Sequence, residues 1–328
     1  MHVIALGGTI AMTGPGGHDI TPQLTAHDLL AAVLRLADAA SVTSEQLRQS
    51  PSAVLTLVDI VTAARHVETA LAAGADGVVV TQGTDTLEEA AFALDLLLPG
   101  HAPVVVTGAI RSSDAAGPDG PANLLAAVQT AASAGARDKG VLVVLDEQAH
   151  AASTVRKVRT FGTVAFESPD TGPVGWIVEG RFHGRSTPVR LRQVPEPEPV
   201  RLAETAVGVV PVHLGDDPRG VVGASRLGYA GLVVDSLGAG HVPPSFVAPL
   251  AELAAEIPVV LASRTGGGPV HEQTYGYPGS ETDLLSQGLI SAGWLDTRKA
   301  KVLLTLLLAA GVPREEIAAR FSSRSPGA

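Results

Sequence analysis

The sequence predicts an α/β protein: a larger N-terminal domain on a parallel sheet with helices on both faces, and a smaller C-terminal α/β domain. Short Val-rich runs of four or five apolar residues alternate with longer segments whose apolar residues recur at helical spacing. Such continuous runs are typical of strands buried on both faces. After Gly180 a stretch rich in Pro, Arg and Glu interrupts the alternation, which then resumes more compactly.

The elements of the first domain follow from these runs. Strands are expected at Val3–Leu6, Gly77–Thr81, Pro103–Thr107 and Val141–Leu145. Amphipathic segments between them predict helices at Leu87–Leu98 and Pro121–Ala134. Strand followed by helix followed by strand indicates a parallel sheet.

The second half is divided by its composition. Residues 185–205 contain alternating Pro and Glu at positions 195–199 and are interpreted as an extended linker between domains 1–184 and 206–328. Beyond the linker the patterns predict strands at Gly231–Val234 and Pro258–Leu261, and helices near Phe246–Glu256, Glu281–Gln287 and Thr297–Ala309.

Composition excludes several functions. The net charge of −10 and the 3% aromatic content argue against nucleic acid as a partner. Without cysteine there is no disulfide, thiol nucleophile or thiolate metal site, and the ten histidines are scattered, so no metal or cofactor is expected. A start without a basic leader, and apolar stretches too short for a bilayer, lead us to expect a cytoplasmic protein that does not span a membrane.

The most informative turn follows the second Val-rich strand. In parallel sheets ligands bind beyond the carboxyl ends of the strands, which is where Thr84 and Asp85 fall. The alternative interpretation is helix capping, because Thr86 with Glu89, and Asp85 with Glu88, have the spacing of a capping box. Taken alone the pattern favours capping, although capping by Thr86 leaves Thr84 and Asp85 available for chemistry.

Two further segments are candidates for chemistry. The Gly7-Gly8 turn at the end of the first strand allows close backbone approach to a ligand, although an ordinary tight turn fits as well. The glycine-rich stretch Thr13–Thr25 that follows is interpreted as a mobile lid. Lys157, in Val155-Arg156-Lys157-Val158-Arg159, is one of four lysines. The pattern alone favours a solvated basic surface, whereas a lysine placed among apolar residues can serve as a base.

Taken in order, these segments resemble the bacterial-type L-asparaginase family. The family's Gly-Gly-Thr-Ile-Ala sequence is matched by residues 7–11, and its Gly-Thr-Asp-Thr turn by residues 83–86. Its substrate-carboxylate turn, its Gly-Ala-Met-Arg turn and its Asp-Gly-Pro-x-Asn-Leu run resemble residues 51–56, 106–111 and 117–124. The resemblance covers nearly the whole chain.

The resemblance implies a role for each matched residue. Thr9 would attack the side-chain amide carbon, and a second cluster of Thr84, Asp85 and Lys157 would supply a base toward the Thr84 hydroxyl or a water. Ser52 would bind the α-carboxylate of the substrate, and the Ala109 carbonyl would bind the leaving amide nitrogen. The reaction would be hydrolysis of L-asparagine to L-aspartate and ammonia, without metal or cofactor, in a homo-oligomer, either a dimer or a tetramer, with a neighbour's smaller domain bordering each site.

This sequence departs from the family pattern at three places. The lid has no tyrosine to activate the first threonine, which leaves His18, Asp19 or Tyr275 as substitutes. Ala53 follows the carboxylate-binding serine where the family has a polar residue. Ala239 also takes a position where a polar contact is common.

Other functions remain as alternatives. An amidase acting on glutamine or on a D-amino acid amide would share these motifs, and a non-catalytic amino-acid-binding protein would keep the same fold. A tRNA-dependent amidotransferase is disfavoured because its catalytic domain usually carries extra N-terminal sequence. A cofactor-free racemase of acidic amino acids is disfavoured because it needs two cysteines.

Overall fold

The fold, obtained as a computed structural model, describes residues 1–14 and 19–322. The chain divides into two compact units, Met1–Arg190 and the part from Leu191 onward. The α/β class with a larger first domain and a smaller second one is therefore confirmed. The first unit extends to Arg190, a few residues beyond the predicted bound at 184, and the Arg190 side chain pairs with buried Asp95.

The first unit combines a large sheet with helices and short hairpins. Its strands are β1 (His2–Gly7), β2 (Met12–Thr13), β3 (Thr21–Pro22), β4 (Thr43–Ser50), β5 (Val78–Thr81), β6 (Val104–Thr107), β7 (Val141–Leu145), β8 (Gln148–Ala151), β9 (Arg156–Lys157), β10 (Phe166–Glu167), β11 (Gly175–Val178) and β12 (Arg181–Gly184). Its helices are α1 (Ala26–Ala31), α2 (Leu36–Ala39), α3 (Leu57–Ala72), α4 (Leu87–Leu97) and α5 (Gly120–Ala131).

The strand order of the eight-stranded sheet is β12-β11-β8-β7-β6-β5-β1-β4. Five neighbouring strands of the sheet are parallel, in the order β7-β6-β5-β1-β4. Strands β8, β11 and β12 continue the sheet as antiparallel strands. The chain passes from β1 outward to β4 and then returns across β1 to β5. The direction of winding thus reverses between β1 and β5, and doubly wound sheets bind ligands at the carboxyl ends of the strands flanking such a reversal.

Helices cover both faces of this sheet. Val79 and Val105 are paired in the register of β5 and β6, and their side chains join one buried cluster with Leu29 of α1 and Leu124 of α5. Helices α3 and α4 contribute nothing to this cluster and pack against each other and the opposite face. Because both faces are covered, the strands must be apolar throughout, which explains the continuous Val-rich runs.

The second unit contains a parallel sheet of order β13-β14-β15-β16. Its strands are β13 (Val207–Pro211), β14 (Gly231–Ser236), β15 (Val259–Ser263) and β16 (Ile290–Ser291). Its helices are α6 (Pro199–Glu204), α7 (Arg219–Arg226), α8 (Val247–Glu256), α9 (Glu281–Ser286), α10 (Thr297–Ala309) and α11 (Arg314–Ser322). Within the described ranges, no helix is long and apolar enough to cross a membrane.

One part of the expected linker is not extended. Pro199–Glu204 forms the short helix α6, with proline in its first turn, where the missing backbone N–H costs no helical hydrogen bond. Leu202 of this helix is buried. The alternating Pro and Glu residues before it favour an extended chain, so the sequence pattern does not predict this helix, which burial of Leu202 stabilises.

Candidate active site

The candidate site is built on three turns that follow β1, β4 and β5. Gly8 adopts φ 84°, and a Cβ atom on it would lie 2.1 Å from both Cα and N of Gly83. A Cβ atom on Gly83 would in turn lie 2.7 Å from Oγ of Ser52. Only glycine permits backbones to approach this closely. The turns that carry Thr9 and Thr84 are therefore packed directly against each other.

Thr9 begins a single turn of 3₁₀ helix, Thr9–Ala11, directly after the glycine pair. Ile10 and Ala11 are buried and anchor the turn in the core, whereas Thr9 keeps part of its surface exposed. Among the residues that the structure describes, none forms a hydrogen bond with the Thr9 hydroxyl. Thr9 thus lies, partly exposed, at the reversal point of the sheet.

Thr84, Lys157 and Asp85 form one hydrogen-bonded cluster. Nζ of Lys157 lies 2.9 Å from Oγ1 of Thr84 and 2.7 Å from Oδ1 of Asp85. Thr84 is buried, the Lys157 side chain is 19% exposed and that of Asp85 is 70% exposed. A hydroxyl, an amine in contact with it and a carboxylate that orients the amine are the three parts of an activated nucleophile or water site. The three residues named from the sequence are therefore brought together.

Lys157 lies on the two-residue strand β9, which pairs with β10. Its backbone nitrogen donates a hydrogen bond to the carboxylate of Glu88, which is buried in the first turn of α4. The predicted capping box of Asp85 with Glu88 is not formed, because Thr86 is the N-cap residue of α4 and the backbone nitrogen of Asp85 donates to Oγ of Ser52.

The prediction that Thr86 and Glu89 form a capping box is also wrong. Thr86 is the N-cap residue of α4, but its side chain makes no capping hydrogen bond. Its hydroxyl donates to the carbonyl oxygen of Ser52 at 3.1 Å and accepts from Nε2 of Gln82 at 3.0 Å. The hydroxyl bonds to the Ser52 carbonyl on a neighbouring turn instead of capping the helix.

Ser52 opens the 3₁₀ turn Ser52–Val54 after the edge strand β4 and is buried. Its Oγ accepts a hydrogen bond of 3.3 Å from the backbone nitrogen of Asp85. The predicted carboxylate-binding serine thus lies against the Thr84–Asp85 turn. Ala53, which replaces the family's polar residue, is exposed.

Ala109 is fully buried in the turn after β6. Its turn is held by Asp119, which accepts from the backbone nitrogens of Ile110 and Arg111 at 3.0 and 2.8 Å. Asn123 of α5 donates to Asp119 at 3.1 Å and to the carbonyl of Gly108 at 3.0 Å. Asp119 and Asn123 occur in the motif of residues 117–124, where their polarity next to an apolar helix was the signal for this supporting role.

The three substitutes for the lid tyrosine are placed differently. His18 lies outside the described residues. Asp19 has φ 48° at the far side of the β2–β3 hairpin, a left-handed conformation that aspartate tolerates better than most residues. Tyr275 lies in the second unit, where its ring meets that of His241 edge to face at 4.7 Å between centroids.

The turn Gly238–His241 of the second unit is supported by a buried carboxylate. Nε2 of His241 lies 3.2 Å from Oε2 of Glu281, whose Oε1 accepts from the backbone nitrogens of Thr274 and Tyr275. Burial alone would raise the pKa of Glu281, but these hydrogen bonds outweigh it and the pKa is lowered. The carboxylate therefore stays ionised and fixes the His241 ring.

Comparison with known proteins agrees with this architecture. The family model described as Asparaginase, N-terminal matches residues 1–190, and the model described as Glutaminase/Asparaginase C-terminal domain matches residues 206–321. A probable L-asparaginase of Deinococcus radiodurans is 38% identical over 98% of this chain and 96% of the relative. L-asparaginase 2 of Escherichia coli is 33% identical over 93% of this chain and 88% of the relative.

A solved structure shows the same fold. The probable cytoplasmic L-asparaginase from Campylobacter jejuni aligns with a TM-score of 0.86 at 31% identity and covers 98% of each chain. The fold and these likenesses define the class of the protein as an amidohydrolase. The chain belongs to the asparaginase family, and the resemblance noted in its motifs is confirmed.

Proposed function

We propose that this chain is an L-asparaginase that hydrolyses L-asparagine to L-aspartate and ammonia, with Thr9 as the nucleophile. One observation carries the proposal: Lys157 contacts both Thr84 and Asp85 at the reversal point of the sheet, on the turn packed against that of Thr9. Nucleophile, base and orienting carboxylate are the parts that acyl transfer requires.

The reaction has two displacement steps. Oγ1 of Thr9 bonds to the amide carbon, the C–N bond breaks, and the Thr9 proton leaves with the nitrogen as ammonia. A water molecule then bonds to the carbon of the Thr9 ester, the ester C–O bond breaks, and one water proton returns to Thr9. Lys157 accepts and returns a proton in these steps, through the Thr84 hydroxyl or from the water, and Asp85 orients its amine.

The same turns bind the rest of the substrate. Ser52 takes the α-carboxylate, Asp85 the α-ammonium group and the Ala109 carbonyl the leaving amide nitrogen. Buried Ser52 and exposed Asp85 are neighbours, because the backbone N–H of Asp85 donates to Oγ of Ser52 at 3.3 Å. An amino acid with both charged groups is thus the substrate class that these residues suit.

Assembly and location complete the proposal. The enzyme is a cytoplasmic homo-oligomer, with a tetramer expected from the family. The absence of cysteine suits a reducing compartment, and the aligned Campylobacter jejuni protein is described as cytoplasmic. Light scattering coupled to size-exclusion chromatography measures the mass, and a value of one chain contradicts the oligomer.

Ammonia release from L-Asn, D-Asn and L-Gln tests the function. Turnover should be fastest with L-Asn and should fall by about 10²–10⁴-fold in Thr9→Ala and in Thr84→Ala. Acid quenching during turnover, followed by peptide mass mapping, should locate the acyl group on the peptide that contains Thr9.

The other outcomes each select a different function. Faster release from L-Gln or D-Asn makes the protein a related amidase. The Thr9 hydroxyl makes no hydrogen bond with any residue that the structure describes, so a binding protein is the second candidate. A folded protein that binds L-aspartate in calorimetry but releases no ammonia from any amide would establish that function instead.

A further inference from the structure

A relay of three residues joins the Ser52 turn to the Thr84 turn. Nε2 of Gln82 lies 3.0 Å from Oγ1 of Thr86, and that oxygen lies 3.1 Å from the carbonyl oxygen of Ser52. Gln82 is 1% exposed and Thr86 is partly buried, so solvent does not compete strongly for either bond. None of the roles assigned above uses Gln82 or Thr86.

The direction of the relay is fixed by chemistry. The Ser52 carbonyl can only accept, so the single hydroxyl proton of Thr86 must point toward it. Oγ1 of Thr86 must then accept from Gln82, which requires the NH₂ group of the amide to face the threonine. The side-chain amide of Gln82 therefore has one allowed orientation, set by Ser52.

This orientation leaves an acceptor unpaired. Oε1 of Gln82 is buried and has no hydrogen-bond partner in the described parts of the chain. A buried acceptor without a donor lowers the stability of the folded state. An apolar side chain of the same length would avoid this loss, so the fold alone does not favour glutamine here.

We propose that Gln82 and Thr86 are positioning residues for the carboxylate-binding serine. Their relay fixes the Ser52 backbone, and the Asp85 backbone nitrogen fixes the Ser52 hydroxyl. The distance between Ser52, which binds the substrate's carboxylate, and Asp85, which binds its ammonium group, therefore stays constant. The inference rests on the proposed function, since it assigns Ser52 to the α-carboxylate. If the relay is removed, substrate binding should weaken while the rate of the chemical step changes little.

Matched variants test the relay. Thr86→Val removes the hydroxyl with nearly the same shape and should raise the KM for L-Asn, and the Kd for L-Asp, by about three- to tenfold, with kcat within about twofold. Thr86→Ser keeps the hydroxyl and should restore both constants. Thr130→Val is the control, because it removes a fully buried hydroxyl that bonds to the Ala126 carbonyl in α5, away from Ser52.

Gln82→Met separates positioning from packing. It removes the relay's first donor together with the unpaired acceptor, so KM should rise while the melting temperature stays the same or rises. A variant that loses stability and binding in parallel would indicate a purely structural glutamine. That result would overturn the inference.

A double-mutant cycle gives the final test. If Thr86 acts through Ser52, Thr86→Val should add little to the loss of L-Asp binding in Ser52→Ala. Additive losses, or an unchanged Kd in Thr86→Val, would overturn this inference alone, with the parent enzyme still an asparaginase. A parent protein that neither hydrolyses L-Asn nor binds L-Asp would overturn the proposed function, and this inference with it.

Discussion

The buried carboxylate of Glu88 accepts a hydrogen bond from the backbone nitrogen of Lys157, 69 residues further along the chain. Glu88 lies in the first turn of α4, directly after the turn that presents Thr84 and Asp85. The lysine is thus held at both ends by one segment: its backbone by Glu88, and its amine by Thr84 and Asp85. Two attachments fix the amine more closely than side-chain contacts alone, because a lysine side chain has four rotatable bonds.

Glu88→Ala should release the β9 strand. We expect kcat for amide hydrolysis to fall by roughly 10–10²-fold, since about 1 Å of misplacement can cost this much. Glu88→Gln keeps a carbonyl acceptor and should lose much less. Steady-state kinetics with L-Asn, together with a melting curve for each variant, provide the comparison, and equal kcat in Glu88→Ala and the parent would contradict the role.

Gly8→Ala should abolish activity through collision with the Thr84 turn. Its new Cβ would lie 2.1 Å from the backbone of Gly83, in addition to strain at φ 84°. Gly74→Ala is the matched control, because Gly74 has φ 96° but nothing within 4 Å of its Cβ position. Positive φ alone should cost each variant roughly 1–3 kcal/mol of unfolding free energy. The collision adds to this loss in Gly8→Ala, and only Gly8→Ala should lose turnover. Similar activity in the two variants would show that the turns tolerate separation.

His150 should make the first unit acid-sensitive. Burial, which outweighs the opposing effect of the Glu167 charge, lowers the pKa of His150 from 6.5 to about 4. Its Nδ1 lies 3.0 Å from the Ser168 hydroxyl. Between these two pH values the unfolded chain binds a proton that the folded chain does not. The contribution is therefore complete above pH 6.5 and is lost as the pH falls toward 4, by about 3 kcal/mol in total.

Urea unfolding at several pH values checks this expectation. The parent should lose stability between pH 6.5 and about 4 more steeply than His150→Asn, because asparagine keeps a polar group near Ser168 but does not titrate. The carboxylates of the protein contribute equally to the pH dependence of both proteins, so the difference between the two stability curves isolates the histidine. Parallel curves would contradict a buried neutral His150.

Arg190, the last residue of the first unit, should contribute strongly to the free energy of unfolding. Its Nε donates to the buried carboxylate of Asp95 at 2.9 Å, and its other nitrogens donate to the carbonyls of Asp95, Leu98 and Pro99. Burial raises the pKa of Asp95 in spite of the opposing Arg190 charge. Arg190→Met leaves that carboxylate unpaired and should cost about 3–5 kcal/mol of unfolding free energy.

Two further variants control for charge and for packing. Arg35→Met removes one member of the Arg35–Asp38 pair, whose side chains are 82% and 65% exposed, and should cost no more than about 1 kcal/mol. The double variant Asp95→Leu with Arg190→Met should be more stable than Arg190→Met alone, because no buried charge is left unpaired. Urea midpoints decide both comparisons, and equal losses for Arg190→Met and Arg35→Met would refute the buried pair.

Strongly apolar elements could be predicted closely from the sequence. Val141–Leu145 and Thr297–Ala309 were predicted with the bounds that the structure shows, and Leu87–Leu98 was one residue too long. In these segments burial decides the conformation, and burial leaves a visible pattern of apolar residues. The strand pattern accounts for Thr84 and Asp85, which follow β5 at the carboxyl edge of the large sheet. Lys157 reaches them from the separate β9–β10 pair, whose backbone is bonded to Glu88.

Elements stabilised by polar contacts could not be predicted in this way. The edge strand β4, Thr43–Ser50, is largely exposed and polar, so it lacks an apolar run. Helix α3, Leu57–Ala72, is a different case, because the sequence carries its signals and the prediction omits it. Ile60, Val61 and Val67 form a buried apolar face, and Thr56 with Asp59 forms a capping box. Thr86 shows the opposite error, since its capping pattern is present but the hydroxyl bonds to Ser52.

The central position of β1 has a consequence during synthesis. This strand leaves the ribosome before its two partners, β4 and β5, which are completed only at Ser50 and Thr81. Until then an apolar segment, Val3–Leu6, has both edges unpaired, which is the arrangement that promotes aggregation of nascent chains. Chaperone capture of ribosome-bound chains should accordingly decline once β5 has emerged from the exit tunnel.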